Sequence, residues 1–304
     1  MFTGNRTGMR EATVICRLTS RHGLAYYQRL QHELPQRGVQ ITEAHMVRRR
    51  KDLKKRIRQA IKSGAKLIIV IGGDGTQTAA VAELAHTDCA LAVVPAGTGN
   101  SFAYSLGIKD DLDAAIDTIA DGKEIRVDVG IVNGTHFANF ATIGLIADAA
   151  NRTPRGLKRV IGPVAYGVAA LQSLFRDKPF ELRVKWKKET LKIVTHQAIV
   201  ASGRYFGWQP VTPQATLRSG ELAFFAAAGD KAQDVITTNA ALLRGDHTEL
   251  EHAHYFSAPK ITLTAKPKQP LNIDGHALGM TPAKFKIAPR ALRVLVPQDF
   301  RAHS

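Results

Sequence analysis

The chain has 304 residues, 44% of them hydrophobic, and a formal net charge of +16 at pH 7. This length suits two domains or one large one, and the composition excludes a disordered or membrane-embedded chain. The charge points to something anionic as a partner: nucleic acid, an anionic membrane surface or a polyphosphate substrate. No uninterrupted apolar run reaches the ~18–20 residues that a bilayer span needs; the nearest, from Val160 to Phe175, is shorter and contains Gln172. No apolar core follows the first basic residues, so export is not expected and a cytoplasmic location is. The two cysteines, Cys16 and Cys89, lie in apolar stretches and are expected to be buried thiols without a disulfide framework.

From the N-terminus, strand and helix alternate. Ala12 to Leu18 is a strand, Tyr26 to Leu34 a helix ending before Pro35 and Gly38, and Val39 to Ala44 a weaker strand. A strongly basic segment follows, from Arg48 to Lys62, with Leu53, Ile57 and Ile61 at helical spacing on its inner face. Its cations suit a solvated face or an anionic lipid surface, and its lack of aromatic residues argues against nucleic acid. Lys66 to Ile71 and Ala90 to Val94 are apolar runs expected to be covered on both faces, separated by a helix from Thr76 to His86. Asp111 to Ala120 is the next helix, with Gly122 placed as its cap. Such alternation predicts an α/β domain over residues 1–124 with a mostly parallel sheet.

The pattern changes at residue 125. Ile125 to Val132 and Thr135 to Thr142 alternate across Asn133-Gly134, a hairpin signature. Strands are expected at Phe180 to Trp186, Thr190 to Ala201, Glu221 to Ala226, Lys260 to Ala265, Leu271 to Asp274, Ala283 to Ile287 and Leu292 to Val296. Helices are expected at Lys158 to Phe175 and at about Ala232 to Arg244. Residues 125–304 therefore form a second domain, mainly antiparallel β.

Two glycine-rich turns carry the chemistry: Gly72-Gly73-Asp74-Gly75-Thr76, and Pro95-Ala96-Gly97-Thr98-Gly99-Asn100. Each joins a strand to a helix, where backbone N–H groups can converge on one anion. No Lys follows the first turn as a Walker A loop requires, and Thr78 stands where a dinucleotide fingerprint has its third glycine. Gly72, Gly73, Gly75, Gly97 and Gly99 let the backbone approach phosphate, while Thr76, Thr98 and Asn100 offer side-chain donors. Asp74 sits oddly in an anion cradle. It suits a proton acceptor for an attacking hydroxyl, or a partner of Mg²⁺ beside the phosphates.

Together these motifs resemble the diacylglycerol kinase catalytic family, which includes bacterial diacylglycerol kinases and sphingosine and ceramide kinases. The first turn is shared with NAD kinases, whereas the second, continued by Ser101-Phe102-Ala103, is similar to the lipid kinases. The likeness runs on through Val127 to Gly130, Asn139 to Gly144, Gly162 to Tyr166, Gly203 to Gly207 and Asn272 to Gly275. It implies a NAD-kinase-like α/β domain followed by a β-sandwich-like domain. It also implies ATP as phosphate donor, with Mg²⁺, held against Gly72 to Thr78 (Gln77 included) and Thr98. The implied activity is transfer of the γ-phosphate to the hydroxyl of a lipid such as diacylglycerol or a sphingoid base.

The chain departs from the family pattern at several places. Arg17 to Arg21 replaces an Asn-Pro-x-Ser-Gly loop, Thr78-Ala79 replaces Asn-Glu, and Ser219-Gly220 replaces an Asp-Gly pair that helps hold a structural Mg²⁺. Asp274-Gly275-His276 replaces Asp-Gly-Glu. His276 and Asp274 therefore join Asp74 as candidate catalytic residues, Arg17 and Arg21 become candidate phosphate partners, and no metal ligand set can be assigned. Expected partners are the lipid and an anionic membrane surface to which the protein binds peripherally, not nucleic acid, with a homodimer left open. A nucleotide- or lipid-binding regulator without turnover, and a kinase of a soluble substrate such as NAD, are the alternatives.

Overall fold

A computed structural model describes residues 9–145, 147, 178–206, 209–210, 212 and 216–301. The expected helix from Lys158 to Phe175 and the Gly162 to Tyr166 motif lie outside the described residues. The described residues form two compact units, one of 9–126 together with Leu292–Arg301, the other within Val127–Ala291.

The first unit alternates β1 (Arg10–Arg17), α1 (Gly23–Gln36), β2 (Val39–Val47), α2 (Arg50–Lys62), β3 (Leu67–Gly72), α3 (Asp74–Leu84) and β4 (Ala90–Pro95), then α4 (Ser101–Ser105) and α5 (Leu112–Asp121). Its strands are parallel in the order β2-β1-β3-β4, and Val294 pairs in parallel with Leu91 on the far side of β4. Every residue of β3 and β4 is buried, because helices cover both faces of a parallel sheet. On one side Arg37 of α1 meets Asp117 and Asp121 of α5; on the other Lys54 and Arg58 of α2 meet Glu83 of α3.

Local chemistry explains two differences from the sequence reading. Helix α1 runs through Pro35 to Gln36, since a proline in the last turn deprives only the exposed Gln31 carbonyl of its partner. Gly122 ends α5 with an extended backbone (φ −67°), not a left-handed cap. A Cβ there would crowd the Thr118 carbonyl at the helix end and lie 2.5 Å from the Val296 carbonyl oxygen, so close approach of backbone, not a left-handed conformation, requires the glycine.

The second unit is antiparallel. Its elements are β5 (Lys123–Val132), β6 (Thr135–Phe137), β7 (Phe140–Gly144), β8 (Phe180–Trp186), β9 (Glu189–Thr195), β10 (Gln197–Ala201), β11 (Tyr205–Phe206), β12 (Gln209–Pro210), β13 (Leu222–Ala227), α6 (Ala232–Arg244), β14 (Ala253–Ala258), β15 (Lys260–Lys266), β16 (Pro270–Ile273), β17 (His276–Met280) and β18 (Ala283–Val296). One sheet orders β18-β15-β8-β9 and carries the β5–β6 hairpin; the other orders β14-β13-β10-β7-β16-β17. Phe137, Phe180, Val184 and Phe285 from the first interlock with Ile143, Val200, Phe224 and Leu271 from the second, making a sandwich. Helix α6 covers the outer face of the second sheet through Leu242 against Ile199 and Phe225.

Asn133 (φ 47°) and Gly134 (φ 83°) form the expected hairpin turn. Two runs that the alternation shows as single strands are each divided between the sheets. Thr135 to Thr142 breaks at Ala138-Asn139, and Thr190 to Ala201 breaks at His196. Period-two alternation survives a change of sheet, so the sequence hides the corner. In contrast, Ala283 to Ile287 and Leu292 to Val296 join in one strand through Pro289 and a left-handed Arg290 (φ 50°). Its last residues, from Leu292 on, pack with the first unit.

Candidate active site

The two glycine turns leave the sheet side by side because β3 and β4 end in register, Gly72 opposite Pro95. The Ala96 N–H then donates to the Gly72 carbonyl at 3.2 Å. Beyond it the turns touch backbone to backbone. A Cβ on Gly97 would lie 2.5 Å from the Gly73 Cα, and a Cβ on Gly73 would lie 2.9 Å from the Gly97 Cα. Backbone cannot yield as a side chain does, so this pair must be glycine.

Helix α3 starts directly from the first turn, with the N–H groups of Thr76 (2.8 Å) and Gln77 (3.1 Å) donating to the Gly73 carbonyl. The side chains expected to line a nucleotide build the turn from beneath. Thr76, Gln77 and Thr78 are all buried. Gln77 Nε2 donates to the Gly72 carbonyl at 3.0 Å, and Thr78 Oγ1 donates to the Asp74 carbonyl at 2.9 Å. Thr98 is exposed and Gly73, Gly75, Gly97 and Gly99 are half-buried, so backbone forms the open face. The N–H groups of Gly75, Thr98 and Gly99 have no acceptor among the described residues, which suits them to an anion.

The puzzle of an acid in an anion cradle has a structural answer. Asp74 Oδ2 accepts the Asn100 N–H at 2.9 Å and Oδ1 accepts the Ser101 N–H at 2.6 Å. The acid of the first turn thus clamps the second and satisfies the opening amides of α4. Asn100 is itself buried and left-handed (φ 51°). Its Oδ1 accepts the Gly97 N–H at 3.0 Å, and its Nδ2 donates to the Gly97 carbonyl at 3.2 Å and to Asp110 at 2.8 Å. It therefore holds the turn's shape; a phosphate donor role is not where its side chain is engaged.

A third loop, Arg17 to His22, leaves the carboxyl end of the adjoining β1. The Arg21 N–H donates to the Ala96 carbonyl at 3.0 Å, and Arg17 Nε donates to Thr19 Oγ1 at 2.9 Å. Arg21 is exposed and Arg17 half-buried, so both bring positive charge to the edge that carries the turns. Burial pushes the Asp110 carboxyl above its ordinary range, helped by Asp111 and opposed by the Asn100 bond, His22 and Arg21. Burial, then the Asp110 charge, likewise raises Tyr104; for Tyr26 the same order holds, with Asp111 adding to it. Asp110 and His22 carried no motif; only the fold brings them beside the turns.

In the second unit Asp274 has a buried carboxylate that accepts three backbone N–H groups: Ala138 at 2.8 Å, Asn139 at 3.1 Å and Phe140 at 3.0 Å. These are the amides of the corner where β6 gives way to β7. His276, half-buried, has Nδ1 3.1 Å from the Asp274 carbonyl oxygen. A carbonyl only accepts, so Nδ1 is the donor in this bond.

The diacylglycerol kinase catalytic domain profile matches residues 12–132, and the YegS C-terminal NAD kinase beta sandwich-like domain profile matches residues 140–296. A diacylglycerol kinase of Bacillus subtilis (strain 168) is 30% identical over 77% of this chain and 78% of its own. The chain belongs to the diacylglycerol kinase family. A diacylglycerol kinase of Staphylococcus aureus (strain bovine RF122 / ET3-1) is 26% identical over 90% of this chain and 89% of its own. A solved structure described as a diacylglycerol kinase from Bacillus anthracis str. Sterne shares the fold, with a TM-score of 0.74 at 20% identity over 96% of this chain and 98% of that one. Membership supports a lipid-kinase function at family level and implies ATP as phosphate donor.

A resident metal fits less well. No group of three or more His, Cys, Asp or Glu among the described residues could hold one. Ser219, which stands in place of a carboxylate, lies with its hydroxyl 3.4 Å from the Thr216 carbonyl and 3.2 Å from the Glu221 carbonyl. The nearby buried Asp128 accepts the N–H groups of Gly220 and Arg290, each at 2.7 Å.

Proposed function

We propose that this kinase transfers the γ-phosphate of ATP to the hydroxyl of a lipid, with diacylglycerol as the first acceptor to test. The observation that carries the reading is the glycine pair Gly73–Gly97, which brings two turns into contact and presents the amides of Gly75, Thr98 and Gly99 to one anion. Magnesium enters as part of the nucleotide substrate, Mg·ATP, and is not assigned a site in the protein. Arg17 and Arg21 add charge that favours the triphosphate and the developing transition-state charge.

Among the three candidate catalytic groups, the two acids are assigned to positioning. Asp74 holds the second turn in place, and Asp274 fixes the chain beside His276. The imidazole Nε2 of His276 is the proton acceptor for the attacking hydroxyl, contributing ~10²–10⁴-fold. The bond that forms joins the lipid oxygen to the γ-phosphorus, and the bond that breaks releases ADP.

The test is incubation of the purified chain with labelled Mg·ATP and diacylglycerol in non-ionic micelles. Labelled phosphatidic acid should form, and His276→Ala should lower kcat by ~10²-fold or more with ATP affinity unchanged. Nucleotide binding with no phosphorylation of any lipid in a broad panel would replace the reading with that of a regulatory module. Phosphorylation of NAD would replace it with a soluble-substrate kinase.

A further inference from the structure

Helix α2 carries a surface feature that phosphoryl transfer leaves unused. Its buried residues Leu53, Ile57 and Ala60 face the sheet. At 100° per residue, Lys51, Lys55, Arg58 and Lys62 fall in one narrow arc on the opposite side. All four are exposed, as are Arg48 and Arg49 just before the helix and Arg56 on its flank. Lys54 and Arg58 share the single carboxylate of Glu83. Arg48, Arg49, Lys51, Lys55, Arg56 and Lys62 have no ion pair among the described residues. The stripe from Lys51 to Lys62 is about 16 Å long, with no large apolar side chain to insert. The helix begins just after β2, and the Leu18 N–H donates to the Val47 carbonyl at 3.0 Å. Its first cations therefore stand at the carboxyl edge of the parallel sheet, the edge that bears the glycine turns.

We propose that this face of α2, through Lys51, Lys55 and Lys62 with Arg48 and Arg49 at its start, docks the protein on a bilayer rich in anionic phospholipid. The proposal rests on the lipid-kinase reading for its choice of partner, because a lipid acceptor lies in a membrane. Charge complementarity supports it: several unneutralised cations on one convex face meet a surface of one sign. The contact is electrostatic and superficial, so the bilayer is neither spanned nor deeply entered. No helix among the described residues is long and apolar enough to cross a membrane.

The experiment is sedimentation of the full chain with vesicles of phosphatidylcholine alone and of phosphatidylcholine with one third phosphatidylglycerol. Binding should require phosphatidylglycerol and weaken steeply as salt approaches about 1 M, where the Debye length is about 3 Å. Each cation near such a surface is worth about fivefold in partition. The triple variant Lys51→Glu, Lys55→Glu, Lys62→Glu should therefore lose about a hundredfold or more. The control Lys185→Glu, Lys188→Glu, Lys192→Glu makes the same charge change on exposed residues of β8, β9 and the turn between them, and should lose far less. Both variants should keep wild-type activity in non-ionic micelles.

Equal loss in the two triple variants would show an effect of net charge alone and overturn the assignment to α2. A wild-type chain that phosphorylates lipid in micelles yet ignores phosphatidylglycerol vesicles would remove the docking and leave the kinase. Sedimentation abolished by the α2 variant, with no lipid phosphorylated, would keep the docking and remove the kinase. Tighter binding to a DNA duplex than to the vesicles, lost in the α2 variant, would reassign the face to nucleic acid.

Discussion

Single residues divide here into those that meet a ligand and those that hold other residues still, and residue type alone does not separate them. Gly97 is legible in the sequence as part of a cradle, yet its partner is not an anion but Gly73, whose Cα lies where a Cβ of Gly97 would point. Gly97→Ala should therefore cost about 1–3 kcal/mol in a urea titration and weaken ATP binding in calorimetry. Full stability with normal ATP binding would show that the turns do not touch. The sequence offers Asp274 as a catalytic candidate, and three amides inside a buried corner favour a structural role instead. In Asp274→Asn the amide oxygen can keep Asn139 and Phe140, but its NH₂ faces the Ala138 N–H. The loss should be about 1–3 kcal/mol in the second unit, and Asp274→Ala should lose more, at least about 3 kcal/mol. A fully stable Asp274→Asn chain that has lost only turnover would instead make Asp274 the proton acceptor. The sequence could name these acids as important but not say why, because their partners are main-chain amides, which leave no pattern in residue types.

At the scale of elements, the strongest signals are apolar runs and turn dipeptides. β3, β4 and the Asn133-Gly134 hairpin were legible because a few adjacent residues decide them. The division of Thr135 to Thr142 between two sheets was not, since it depends on a carboxylate more than a hundred residues away. The contact of α2 with α3 is another long-range product, and it titrates. Burial pulls the Glu83 carboxyl upward, but the hydrogen bonds and charges of Arg58 and Lys54 outweigh it and leave its pKa below the ordinary 4.5. A depressed carboxyl favours the folded state when ionised. Its contribution is complete above about 4.5, the unfolded value, and disappears as pH falls through the lower folded value. Glu83→Gln should therefore cost about 1 kcal/mol at pH 7, the modest size reflecting the exposure of Arg58. Urea titrations of the two proteins at descending pH should converge below 4.5. A difference that persists unchanged in acid would assign the effect to packing and not to charge.

The whole molecule is less separable than its sequence implies. A change of pattern near residue 124 marks where one kind of architecture gives way to another, and nothing local announces that the last strand returns. Yet Leu292–Arg301 supply part of the first unit's interior. Leu292, Val294 and Val296 are fully buried, and Val294 pairs with Leu91 to cover β4, otherwise the sheet's edge. Arg293 donates to the Asp88 carbonyl at 3.0 Å and meets Glu124, Gln298 donates to the Asp121 carbonyl at 2.7 Å, and the Val296 carbonyl packs on Gly122. An apolar strand edge stripped of this neighbour exposes unpaired amides and Val/Leu-rich surface, so the sheet should not hold. The two thiols report on it. Cys16 in β1 and Cys89 just before β4 are both buried, and burial pushes each pKa up to about 11. In the intact chain neither should react with a thiol reagent at pH 8, being shielded and protonated. In a chain ending at Ala291 both should titrate within minutes and the glycine turns should no longer bind ATP. Cys89 should open first, since Arg293 is bound at its neighbour Asp88. If the shortened chain keeps both thiols shielded and ATP bound, residues 292–301 only decorate a sheet that stands without them, and the sequence boundary near 124 would be the true limit of an independent domain.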